Sequence, residues 1–168
     1  MSLAVSEPSA GSDVAGLTTT AVRDGDYYIV NGNKKWITSG TKAKYFTVAV
    51  RTSGSESRGS GLSLLLMEKD MPGFTIKRMK TTGWWISGTA YLTFNNVRVP
   101  ATHLIGEEGQ GFRYIVHNFN HERFVLAATT NRYSRVVLQD SDNPYNPGIS
   151  PMNITHIIYI LMITLIIL

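Results

Sequence analysis

The sequence predicts a mainly β protein, a sandwich or barrel of short strands followed by one long α-helix. Two observations carry this. From residue 27 to residue 99 the apolar residues come in short β-branched and aromatic runs broken by Gly, Pro, Ser and Asn, with no helical period between them. After Gly111 the period changes: Phe112, Ile115, Val116, Phe119, Leu126 and Ala127 recur at helical spacing on one face.

Taken in order, Asp24-Gly25 opens the first run, Tyr27-Tyr28-Ile29-Val30. Asn31-Gly32-Asn33 offers the positive-φ residues of a tight hairpin, with Lys35-Trp36-Ile37-Thr38 returning as the partner strand. Further strands are expected over residues 45–51, 62–67, 74–77 and 90–94. The polar, glycine-rich stretch 52–61 reads as a surface hairpin loop. Asn143-Pro144 and Asn146-Pro147-Gly148 end the helical pattern. Residues 154–168 are almost wholly apolar yet shorter than the roughly 20 residues of a spanning helix, so a membrane span is the minority reading.

Composition narrows the function classes. At 168 residues, 43% hydrophobic and 17% charged, the chain suits one globular core rather than a disordered or repetitive protein. It has no cysteine, which excludes disulfides, thiolate metal sites and a cysteine nucleophile. The first eight residues lack a signal-peptide pattern, so the Asn153-Ile154-Thr155 sequon reads as chance. The net charge of +4 is spread over Lys34, Lys35, Lys42, Lys44, Arg51 and other cations in strand-like segments, the mark of a solvated basic face rather than a nucleic-acid site. No nucleophile elbow, P-loop or dinucleotide fingerprint occurs.

Four features suggest chemistry. In Ser6-Glu7-Pro8-Ser9-Ala10-Gly11-Ser12-Asp13, small residues and hydroxyls let backbone amides approach a phosphate, though an ordinary Ser/Gly turn explains them equally well. Strand alternation puts Trp36 and Thr38 on one face, where a planar ligand could use both; on the residues alone a core tryptophan is the favoured reading. Glu122 and Arg123 fall on the apolar stripe of the helix, where buried charge needs compensation, by a salt bridge or by a role as base and anion anchor. His117 and His121, four apart, lack a third ligand, and no metal site is expected.

Together the stretches 6–13, 31–40 (Asn-Gly-Asn-Lys-Lys-Trp-Ile-Thr-Ser-Gly), 97–100 (Val-Arg-Val-Pro) and 104–112 (Leu-Ile-Gly-Glu-Glu-Gly-Gln-Gly-Phe) resemble the acyl-CoA dehydrogenase family, in the family's order. The resemblance runs from about residue 3 to residue 139 and looks closest to the long-chain and isovaleryl branch. It implies a middle β-barrel domain over residues 1–109 and the first helix of a C-terminal helical domain over 110–140, with 141–168 an unrelated apolar tail.

The resemblance also implies FAD, lined by Val5, Ser6, Gly11, Ser12, Trp36, Ile37 and Thr38. Ser12 would meet the pyrophosphate, Trp36 would pack on the ring system, and Thr38 would hydrogen-bond near its reactive nitrogen. The acyl-CoA substrate would be held by Ser12, Phe119, Asn120 and Arg123, with Glu122 as catalytic base. The expected activity is α,β-dehydrogenation to the 2,3-enoyl-CoA, in fatty acid or branched-chain amino acid catabolism, with electron-transfer flavoprotein as acceptor. An acyl-CoA oxidase and a non-catalytic FAD- or CoA-binding module are the alternatives. The parent protein is expected to be a homotetramer or homodimer, mitochondrial or peroxisomal in a eukaryote and cytoplasmic in a bacterium. The family's amino-terminal helices and an Arg-x-x-Phe-Gly stretch soon after Asp140 have no counterpart here.

Overall fold

The computed structural model describes residues 1–53 and 60–141. The apolar segment 154–168 and the centre of the 52–61 loop lie outside these. The chain divides into two units, Met1–Tyr114 and Ile115–Leu168.

Among the described residues eight strands build the first unit: β1 Ser2–Ala4, β2 Thr20–Asp24, β3 Tyr27–Ile37, β4 Tyr45–Arg51, β5 Leu62–Glu68, β6 Phe74–Arg78, β7 Ala90–Pro100 and β8 Leu104–Ile105. They form one sheet in the order β6-β7-β3-β2-β4-β5-β8, with β1 paired in parallel to β4. The long helix α1 spans Gly111–Ser141. The mainly β architecture followed by one long helix, among the described residues, is therefore as expected, and β4, β5 and β6 fall on their expected segments. β1, β2 and β8 were not anticipated, and β7 runs six residues past the expected strand. Among the described residues no helix is long and apolar enough to cross a membrane.

The sheet is strongly curled. Phe74 of the edge strand β6 packs edge-on against Phe46 of β4, ring centroids 5.0 Å apart, and against Phe94 at 4.9 Å. Three strands separate β6 from β4 in the sheet. Only a sheet folded over its own inner face brings those rings together, and that face encloses Tyr28, Val30, Val48, Leu65, Met67, Leu92 and Val99.

Two bulges between β3 and β7 set which side chains face in. Val30 pairs with Val97 and Gly32 with Phe94, so β7 carries an extra residue, and Asn96 there is left-handed at φ 50°. Lys34 then pairs with Leu92 and Ile37 with Ala90, so here the extra residue is on β3, and Trp36 is left-handed at φ 65°.

The expected hairpin at Asn31-Gly32-Asn33 is thereby corrected. β3 runs unbroken through these residues, and the turn lies earlier, between β2 and β3, where Gly25 has φ 56°. The type I′ turn that Asn-Gly favours needs two positive φ values, and of the three residues only Gly32 has one, at 142°. Asn31 instead uses its side chain across the first bulge, accepting from the Asn96 amide at 2.8 Å. Gly32 allows close approach, since a Cβ there would lie 2.7 Å from Thr19 Cα.

Candidate functional site

The site begins with a lysine turned inward. Because the second bulge starts just after it, Lys34 keeps the inward phase of β3, and its side chain is fully buried. This corrects its expected place on a solvated basic face. Its ammonium donates to Glu7 Oε1 at 2.8 Å and to the Val5 carbonyl at 2.9 Å.

Glu7 is equally enclosed, the two side chains being 0% and 1% exposed. Its Oε2 accepts from the amide and the hydroxyl of Thr18, both at 2.7 Å, and Oε1 accepts also from the Thr19 amide at 3.0 Å. Burial works to raise the carboxyl's pKa, yet the Lys34 charge and these donors together hold it down at about 2. For Lys34 burial prevails over the carboxylate's support and lowers the ammonium to about 8.

This pair joins the two segments expected to bind a cofactor. Residues 5–12 form a loop after β1 that closes on itself through the Glu7 amide to the Ala10 carbonyl at 2.8 Å. The loop is fixed to β3 by the Lys35 amide, which donates to the Ser6 carbonyl at 2.9 Å. Ser2 Oγ donates to the Thr38 carbonyl at 2.6 Å, holding the far end of β3 to β1.

On this frame Gly11, Ser12, Trp36 and Thr38 are exposed and Ser6 is half-buried. Trp36, which composition favoured as a core residue, is 56% exposed because the bulge turns it outward, with Lys35 Nζ 4.9 Å from its ring centre. Ile37 and Val5 are buried, and the Val5 carbonyl is taken by the Lys34 ammonium. Gly11 has neither a positive φ nor a neighbour within 4 Å of a Cβ, so nothing within the fold requires glycine there. Open space at a Ser/Gly loop, an exposed indole and a hydroxyl two residues on fit a phosphate-bearing ligand with a planar ring.

In the second unit Glu122, Arg123 and Asn120 are exposed and Phe119 is half-buried. Asn118 Nδ2 donates to Glu122 Oε1 at 2.7 Å, an i to i+4 contact along the helix. The expected burial of Glu122 and Arg123 on an apolar stripe is corrected: Phe124, Val125 and Leu126 around them are exposed too, so neither charge is desolvated.

Three residues of the frame escaped the sequence reading. Glu7 was visible only as part of a loop, and Lys34 only as one cation among many. Arg51 donates to the Leu17, Ala15 and Ser60 carbonyls at 3.0, 2.8 and 3.1 Å, bracing the segment beyond Ser12. An open cleft of about 540 Å³, lined by Arg23, Asp26, Tyr27 and residues 100–102, lies at the far end of β3 from Trp36 and is separate from this site.

Comparison with known proteins agrees with this frame. Residues 2–97 match the family model for the acyl-CoA dehydrogenase middle domain. The chain is 52% identical over 139 residues to the acyl-CoA dehydrogenase apdG of Emericella nidulans, covering 81% of this chain and 31% of that protein. It is 39% identical to the mitochondrial isovaleryl-CoA dehydrogenase of Pongo abelii, over 85% of this chain and 34% of the relative. A crystal structure described as a putative acyl-CoA dehydrogenase from Mycobacterium smegmatis superimposes with a TM-score of 0.78 at 40% identity, over 83% of this chain and 36% of that one. The chain thus spans about a third of the length of these relatives, and by sequence and fold it belongs to the acyl-CoA dehydrogenase family.

Proposed function

We propose that this chain is the flavin-cradling part of an enzyme that dehydrogenates acyl-CoA thioesters to 2,3-enoyl-CoA. One observation carries the reading: the 5–12 loop is bonded to Lys34 and Lys35 of β3, directly before residues 36–38, with a Ser/Gly loop, an indole and a hydroxyl facing outward. FAD is the ligand of the family that combines a pyrophosphate with a planar ring, and it supplies the acceptor for a hydride. Ser12 and the backbone beside Gly11 would hold the phosphates, Trp36 would stack on the ring, and Thr38 would donate to its edge.

The remaining work belongs to protein groups. The α-proton of a thioester is weakly acidic, so a positioned carboxylate must remove it as hydride leaves the β-carbon. We assign that base to Glu122, whose carboxylate is oriented by Asn118, and assign acyl-CoA contacts to Ser12, Phe119, Asn120 and Arg123. Hydrogen bonds to the thioester carbonyl stabilise the charge that develops there. Electron-transfer flavoprotein is the proposed acceptor, and a homotetramer or homodimer the proposed assembly.

The test is enoyl-CoA formation from a series of acyl-CoAs with FAD and an artificial electron acceptor. Turnover abolished by Glu122→Gln supports the reading. Saturable flavin binding with no turnover of any acyl-CoA favours the binding module, and oxygen uptake with peroxide release favours the oxidase.

A further inference from the structure

We infer that the Glu7–Lys34 ion pair is a positioning device for the cofactor site, setting the 5–12 loop and the 36–38 segment in register with one another. The inference rests on the flavin reading above for its ligand, but its geometry is independent of that reading.

Three observations lead to it. First, the pair sits where the two segments meet. Lys34 immediately precedes the bulge that turns Trp36 outward, and Glu7 adjoins Ser6, whose carbonyl is held by Lys35. Second, the polar groups on both sides are used: the carboxylate has four donors and the ammonium two acceptors, one of them the Val5 backbone. A shift of the loop along β3 by one residue would break several of these bonds together.

Third, burying two charges is a costly way to fill a core, since apolar side chains of similar volume often stabilise as well or better. What an ion pair adds is directionality. Residues 5–12 contribute no regular strand beyond β1, and so lack the ladder of backbone bonds that fixes register elsewhere in the sheet. Neither residue faces outward, so they act through Ser6, Trp36 and Thr38 rather than by touching the ligand.

The test combines amide hydrogen exchange with FAD titration on the full chain. Lys34→Met with Glu7→Leu replaces the pair by apolar side chains. Thr18→Val, at an exposed position, removes one donor to the carboxylate without disturbing the core. In the double variant the amides of residues 5–12 and 36–38 should exchange at least tenfold faster, with those of β4 and β5 unchanged, and the FAD dissociation constant should rise at least tenfold. Thr18→Val should show the same local pattern at about threefold.

Local exchange unchanged in Thr18→Val would overturn the inference, whether or not the double variant folds. So would a folded double variant that binds FAD within twofold of the parent. A parent chain that binds no FAD sinks the flavin reading instead, and the exchange pattern still decides the positioning claim.

Discussion

Lys34 Nζ and Glu7 Oε1 lie 2.8 Å apart with both side chains withdrawn from water, and through them a loop with little regular structure is fixed to β3. Removing one partner leaves the other as an uncompensated buried charge. Lys34→Met alone should cost about 3–5 kcal/mol in urea unfolding, while the double change with Glu7→Leu should recover most of that loss. Equal losses in the single and double variants would show that the pair does not couple.

The same pair gives a pH signature on the acid side. The Glu7 carboxyl is held at about 2 when folded against its ordinary value of 4.5, so the unfolded chain takes up a proton first as pH falls. The contribution is fully present above pH 4.5 and is lost progressively down to about pH 2, amounting to on the order of 3 kcal/mol. Unfolding midpoints measured from pH 6 to pH 2 should fall more steeply in the parent than in Glu7→Gln.

Two glycines should respond oppositely to alanine. Gly32→Ala meets Thr19 at 2.6–2.8 Å with φ at 142° and should destabilise by about 2 kcal/mol or more, since strain and overpacking act together. Gly11→Ala meets nothing within 4 Å and should leave the unfolding midpoint unchanged while weakening FAD binding. Thermal unfolding and flavin titration of both variants check the contrast.

The curl of the sheet depends on Phe74, which bridges an edge strand to β4 across the core. Phe74→Ala should cost about 3–5 kcal/mol in denaturant unfolding. A loss near that of a surface substitution would contradict the packing described.

Between β6 and β7 the turn presents Trp84, Trp85 and Ile86, 81%, 71% and 82% exposed, a contiguous apolar patch. Sedimentation should show concentration-dependent self-association, reduced when all three are changed to serine.

Much of this fold was legible in the sequence because β-branched runs and the change of period after Gly111 are local signals. The bulges were not, since an extra residue on β7 is compensated only by its pairing with β3, and no local pattern distinguishes Asn31-Gly32-Asn33 in a bulged strand from the same residues in a turn. That misreading hid Lys34: simple alternation gives no reason to bury a lysine, and its partner Glu7 lies 27 residues away in a loop. Trp36 and Thr38 do share a face, as alternation implied, but the bulge makes it the outer one. For Glu122 the periodicity located the helix correctly and misjudged its surroundings, because a stripe in the sequence does not show what covers it.

If residues 5–12 and 36–38 cradle a flavin as proposed, titration of the folded chain with FAD, followed by flavin fluorescence anisotropy, will reveal it. Binding should be saturable and weaken at least tenfold, or about 1.4 kcal/mol, in Trp36→Ala. A folded chain that shows no saturable binding, or one whose affinity is indifferent to Trp36 and Thr38, would contradict it.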